Sequence, residues 1–71
     1  MDKPTPRQIQ ATMRILKKLG LTLDEICAIC SALETKKMLV DMVARLKAKD
    51  FKLTQRETMN ICGQVLEEYL T

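Results

Sequence analysis

Between Leu21 and Asp50 the chain contains no glycine or proline, so nothing in its backbone chemistry forbids one long helix there. The order of its apolar residues argues against a simple one, although an unbroken helix covered by a second chain stays open as the alternative. Each residue of an α-helix advances by about 100°. On that period the face of Cys30 projects onward to Lys37 and Asp41, while the next apolar set, Leu39, Met42, Val43 and Leu46, falls on nearly the opposite side. A single helix would therefore carry two opposed apolar faces and need a second chain to cover one of them. A break at Glu34-Thr35, with Thr35 as N-cap, lets both faces reach one core. The pattern predicts two helices, residues 23–33 and 36–48.

The stretch before the break, Leu21 to Leu33, reads LTLDEICAICSAL and is the expected centre of the fold. Nine of its thirteen residues are apolar and none is Lys or Arg. Thr22 and Glu25 have capping-box spacing, in which each side chain satisfies an unpaired N–H of the helix start. Leu21 and Ile26 flank that cap as a hydrophobic staple would. Leu23, Ile26, Cys27, Cys30 and Leu33 are expected to share a broad apolar face, widened by Ile29.

Two further helices follow from the same grammar. Thr5-Pro6 opens residues 6–19, since proline fits the first helical position. Ile9, Met13, Leu16 and Leu19 recur there at helical spacing, with Ile15 beside them and Arg7, Arg14 and Lys18 opposite. Gly20 ends this helix. Thr54 and Glu57 repeat the capping box and open residues 55–70, whose apolar face is Met59, Cys62, Val65, Leu66, Tyr69 and Leu70, with Ile61 at one edge. Between the third and fourth helices, Phe51 is expected to turn inward as a plug. No repeat is evident beyond the shared L-T-x-x-E run. The expected fold is all-α: a compact bundle of four short helices in one domain spanning 1–71, with residues 1–4 a flexible tail and dimerisation one way to complete the core.

Size and composition narrow the class. Seventy-one residues make one domain that buries only about 60–65% of its unfolded surface, so packing must be good or a partner must help. Ten Leu, five Ile, three Val and five Met supply that packing, but Phe51 and Tyr69 are the only aromatics, which disfavours base stacking on single strands. No apolar run approaches the roughly 20 residues of a membrane span, and MDKPTPRQ does not resemble a secretory leader. Three cysteines among apolar neighbours suit reduced thiols in a cytoplasm. The net charge of +3 is uneven: residues 1–20 carry +4, 21–35 carry −3, 36–52 carry +4 and 53–71 carry −2. Such alternation is expected where neighbouring helices complement one another.

Catalytic chemistry is not expected. Cys27 and Cys30 form a C-x-x-C, with Cys62 as a third thiolate, but no histidine or fourth cysteine completes a tetrahedral zinc site. Helical apolar spacing makes the three thiols small core residues instead. Without histidine there is no Ser/His or Cys/His pair. The adjacent carboxylates Asp24-Glu25 and Glu67-Glu68 point in different directions on a helix. No glycine-rich phosphate loop is present. The expectation is no enzyme, no cofactor and no metal.

Binding is the remaining class. Ile15 to Ile26, ILKKLGLTLDEI, resembles the helix–Gly–helix element of MerR-type transcription regulators, where a G-h-[ST]-L-x-E-I run follows a basic helix. The resemblance covers about a sixth of the chain and implies a local hairpin of helices. Residues 1–8 do not supply the helix-turn-helix that precedes the element in that family. A helix-turn-helix-like pair could also arise from the second and third helices, with Lys36, Lys37, Asp41, Ala44 and Arg45 outward. Candidate contacts to nucleic acid or another anionic partner are thus Arg7, Arg14, Lys18, Lys36, Lys37 and Arg45. Candidate protein-interface residues are Ile15, Ile29, Val40 and Ile61, at the edges of the apolar stripes. The favoured expectation is a small non-enzymatic interaction or regulatory protein of the inhibitor or adaptor type, cytoplasmic and from a bacterium, phage or mobile element. It would bind another protein or a second copy of itself, and no membrane. The alternative is a small DNA-binding transcriptional regulator.

Overall fold

The computed structural model describes residues 2–70. It contains four helices, α1 (Pro6–Lys18), α2 (Leu23–Ala32), α3 (Lys36–Ala48) and α4 (Gln55–Leu70), and no strand among the described residues. The break before α3 is real. Leu33 and Thr35 are both extended (φ −78°, ψ 98° and φ −132°, ψ 157°), and the Thr35 hydroxyl accepts from Met38 N–H at 3.2 Å. An unbroken helix over residues 23–48 would be about 39 Å long. The molecule measures 32 Å at most, and its radius of gyration is 10.9 Å. A compact chain of this length has about 11 Å.

The helices pair as hairpins, α1 with α2 and α3 with α4, and the hairpins join through α1 and α3. Two contacts show that α1 and α3 run parallel. The Lys36 N–H donates to the Asp2 carbonyl at 2.8 Å at one end, and Phe51 lies with Ile15 and Leu19 at the other. Leu16, Met42, Leu46, Cys62 and Val65 are completely buried, surrounded by Leu21, Ile26, Ile29, Leu33, Met38 and Leu39. Two threonines enter this core. Thr12 donates its hydroxyl to Gln8 C=O and Thr58 donates to Thr54 C=O, both at 2.9 Å, which removes the cost of burying them.

Both hairpins follow one plan, and the likeness runs well past the L-T-x-x-E motif. Thr5 and Thr35 cap the first helix of each. Eleven residues on, Leu16 and Leu46 sit fully buried. Each offers its carbonyl to the N–H five residues later, Leu21 at 3.2 Å and Phe51 at 3.1 Å. Gly20 N–H to Lys17 C=O and Asp50 N–H to Lys47 C=O complete two Schellman closures. Thr22 and Thr54 then form reciprocal capping boxes with Glu25 and Glu57, all four bonds lying between 2.8 and 3.2 Å. Ile29-Cys30 and Ile61-Cys62 occupy matching places after those caps. Thr5 also forms a full capping box, with Gln8 as its partner. The T-x-x-Q spacing spells this at residues 5–8.

Several side chains depart from the expected faces. On α2 the buried line is Ile26, Ile29 and Leu33, while Leu23 is 69% exposed and Cys27 is exposed. At about 100° per residue Cys27 lies some 120° from the middle of that line. Cys27 is therefore a surface residue, Cys30 half-buried and Cys62 buried, rather than three core thiols. At the chain's other end Leu70 is half exposed and Thr58 takes a core position instead. Phe51 does not plug the interior. It is 38% exposed with left-handed backbone (φ +55°), directly after Asp50 (φ +56°). Lys52 N–H donates to Lys49 C=O at 3.0 Å across the two, closing a tight turn.

The two closures differ in their left-handed residues, Gly20 alone in the first and Asp50 with Phe51 in the second. Gly20 adopts φ +91° without a Cβ to hinder it, whereas Asp50 must hold a left-handed conformation at the negative end of α3. Its ion pair with Lys52, at 3.8 Å between two side chains over 80% exposed, offsets little of this. Asp50→Gly should therefore stabilise the protein by about 0.5–1 kcal/mol, and Gly20→Ala should destabilise it by about 1 kcal/mol or more. Urea denaturation followed by circular dichroism measures both; a lower midpoint for Asp50→Gly would contradict the strain at this turn.

Candidate functional site

The outer surfaces of α1 and α3 carry an apolar furrow that the core does not use, separate from a larger depression of about 490 Å³ where Lys3 and Pro4 meet Ile9, Leu33 and Thr35. α1 turns Thr12 and Leu16 inward, which leaves Arg7, Ala11, Arg14 and Lys18 on one exposed stripe. α3 turns Met38, Leu39, Met42 and Leu46 inward and leaves Lys37, Val40, Ala44 and Lys47 on another. Because the two helices are parallel neighbours, these stripes flank a shallow furrow of about 330 Å³. Ala11, Ile15, Val40, Val43 and Ala44 line it, with Gln8 and Lys47 at its ends. Val40 is 55% exposed in its centre. Ile15 continues the furrow into a second depression of about 350 Å³ walled by Lys18, Leu19 and Phe51. The exposed Phe51 thus extends the apolar surface past the end of α3.

Of the four expected interface residues, the structure brings Ile15 and Val40 together. Ile29 is buried in the core and is not available to a partner. Ile61 lies half-buried on α4, in a separate depression with Leu53, Asn60 and Gln64. None of Ala11, Val43, Ala44 and Phe51 is expected at a protein interface from sequence: the pattern turns Val43 and Phe51 inward, places Ala44 outward on a reading helix and does not single out Ala11. The alternation of cations and small residues along Arg7–Ala11–Arg14–Lys18 was a legible signal of an outward stripe. Its neighbour across the furrow was not.

The expected cations separate into two groups. Arg7, Arg14, Lys18 and Lys37 are exposed, and no salt bridge among the described residues engages them. Lys37 lies close enough to Asp41 to favour its ionised form. Lys36 is half-buried, its backbone N–H held by Asp2. Arg45 turns away from the furrow onto α4. Its Nε donates to Asp41 Oδ1 at 3.0 Å, and its two terminal nitrogens grip Glu68 at 2.9 and 2.6 Å. Tyr69 donates its hydroxyl to the other Asp41 oxygen at 3.0 Å. The guanidinium hydrogen bonds hold the Asp41 and Glu68 carboxyls below their ordinary range, and burial raises the Tyr69 hydroxyl. This network realises the charge complementarity expected between neighbouring helices at the α3–α4 seam. No equivalent salt bridge joins α1 to α2 among the described residues.

Two of the three thiols, and the carboxylates of Glu25 and Glu57, serve the core and the caps. Burial pushes the Cys62 thiol up to about 11 and raises Cys30 as well, so both stay protonated and weakly nucleophilic near neutrality. No group of three His, Cys, Asp or Glu side chains that could hold a metal ion occurs among the described residues. Glu25 Oε1 accepts from both Thr22 N–H and Gln55 Nε2 at 2.8 Å, tying the start of α2 to the start of α4. The hydrogen bond from the Thr22 backbone lowers the Glu25 carboxyl, and that from the Thr54 backbone lowers Glu57. Comparisons with protein-family models, with curated proteins and with solved structures return no match.

The lowered carboxylates set the acid response. Glu25, Glu57, Glu68 and Asp41 all bind protons less readily in the folded than in the unfolded chain. Their stabilisation is present above the unfolded values, 4.5 for glutamate and 3.8 for aspartate, and is lost as pH falls through the lower folded values. The melting temperature should be flat from pH 7 to 5 and fall below about 4.5. Gln8 performs the same cap in α1 without a titrating group. Glu25→Gln with Glu57→Gln should therefore keep both caps and make the decline shallower; an unchanged slope would show that these caps do not carry it.

Proposed function

We propose that the chain is a small protein-interaction module of the inhibitor or adaptor type, acting through the α1/α3 furrow, without catalysis or a cofactor of its own. One observation supports this reading above others. The core is already closed, with its central side chains fully buried and no unsatisfied buried side-chain polar atom among the described residues. An apolar furrow nevertheless stays open beside it. Single exposed aliphatic residues are ordinary on any surface. Val40 differs because Ile15, Val43 and two alanines continue it into one lined groove. The free thiols suit a reducing compartment such as a bacterial cytoplasm.

A DNA-binding regulator is the second reading, favoured by Arg7, Arg14 and Lys18 standing in one row with no salt bridge to them among the described residues. The engagement of Arg45 by two carboxylates weighs against α3 as a reading helix, since that cation is already committed.

Val40→Glu separates the readings. The site is exposed and helical, so the fold tolerates the change within about 0.5 kcal/mol. Affinity capture from source cells, compared by quantitative mass spectrometry, should recover a protein with the wild type that is lost with Val40→Glu and retained with Gln64→Glu on α4. Equal recovery by all three would overturn the assignment. Retardation of random duplex DNA at low salt, reversed steeply by added salt, would favour the second reading.

A further inference from the structure

We propose that the α1/α3 furrow receives an acidic amphipathic helix from a partner protein. Its apolar stripe would lie on Ala11, Ile15, Val40 and Ala44, with its carboxylates against Arg14, Lys18 and Lys47. The inference rests on the interaction reading above and adds the chemical class of the partner.

Shape comes first. The furrow lies between two parallel helices, and a third helix is the element whose ridge fits such a groove. Arg7 to Lys18 spans about 16 Å along α1, room for about three turns of a ligand helix. Ala11 and Ala44 are small and face each other across the opening, so a helix axis can approach to about 8–10 Å.

Charge then selects among occupants. α1 carries four basic residues and no acidic one, and α3 carries four basic residues against Asp41 alone. On α3, Arg45 is neutralised on the α4 side, while Lys47 borders the furrow. α2 holds Asp24 and Glu25 and no cation, and α4 holds Glu57, Glu67 and Glu68 against Arg56. Lys47 therefore lines the furrow and Lys18 its continuation, Arg7 and Arg14 stand on the adjoining exposed stripe of α1, and no carboxylate lines either depression, while α2 and α4 carry the acidic excess. A second copy docked face to face would oppose these cations with themselves, which disfavours a symmetric dimer. A copy docked head to tail would leave the contact unclosed and build a polymer. Duplex DNA would press phosphates against the apolar floor, where Ala11, Val40 and Ala44 offer no side-chain donor. An acidic helix with one apolar stripe matches both the floor and the rim.

The test uses the full chain, labelled with ¹⁵N, and three probes. The first is a peptide about four turns long with leucines at helical spacing and glutamates on both flanks. The second keeps the leucines and replaces every glutamate by lysine. The third is a short random duplex. The glutamate peptide should shift the amides of Ala11, Ile15, Val40 and Ala44 and bind about tenfold or more tightly than its lysine counterpart, with affinity falling as salt rises. Arg14→Glu with Lys47→Glu should reverse that preference, since both sites are exposed and the fold survives. Equal binding of the two peptides in the furrow would overturn the acidic class while leaving the interaction module standing. Binding of neither peptide, shifts confined to α2 and α4, or stronger furrow shifts with the duplex would each overturn the proposal. Sedimentation velocity should show a monomer at all concentrations; growth with concentration would replace the partner helix by a second copy.

Discussion

The extended backbone at Leu33 and Thr35 is the joint on which the rest of the molecule depends. A helix carried through it would point Ile26, Ile29 and Leu33 one way and Leu39, Met42 and Leu46 the other. The joint resets the helical phase, so both sets converge on Val65 and Cys62 of α4 and on Leu16 of α1. It also positions the start of α3 where the Asp2 carbonyl can satisfy the Lys36 N–H. The four orphan donors at a helix start need such partners wherever water is displaced. Threonine supplies one of them here, and the irregular segment before α1 supplies another through the Asp2 carbonyl.

Within that frame the molecule is two copies of one local solution. A capped helix places a leucine at the core, closes on a left-handed residue and enters the next helix through a threonine–glutamate box. The ends of α1 and α3 can be tight because the Leu16, Lys17, Leu46 and Lys47 carbonyls at the two closures each accept from a named N–H. The second copy does this with Asp50 and Phe51 in left-handed backbone, a less comfortable choice than Gly20. It has a geometric consequence. The Phe51 ring is carried outward, beside Ile15 and Lys18, where Leu21 in the first copy turns inward to 5% exposure.

The surface follows from how the two hairpins meet. α1 and α3 touch along their sides, so their outer faces form a groove and not two isolated ridges. Apolar residues at the edges of both stripes then become neighbours. The same packing divides the charge of α3. Arg45 is drawn to Glu68 across the α4 seam, while Lys47 remains at the furrow. Electrostatics of this kind governs orientation and partner choice more than raw affinity. It is the segregation of charge, and not the modest net value of +3, that distinguishes the α1/α3 side from the α2/α4 side.

The sequence by itself determined the helices and their starts, and it favoured a break between the second and third that the extended backbone at Leu33 and Thr35 then decided. Observed ends at Lys18 and Ala32 stand within one residue of those expected, and α3 and α4 match throughout. The reason is range. A cap joins residues three apart, a Schellman closure joins residues within six, and helical phase is counted along one segment. Only the tertiary structure decided the rotation of α2 that buries Ile29 and exposes Leu23 and Cys27, because the apolar arc of that helix is wider than the surface it covers. Only it decided that Arg45 also reaches Glu68, twenty-three residues on, beyond the Asp41 pairing that four-residue spacing already allows. It decided as well that Ile15 and Val40 share a furrow while Ile29 and Ile61 do not. Those outcomes depend on which helix sides lie against each other, and that contact is set by the whole core at once.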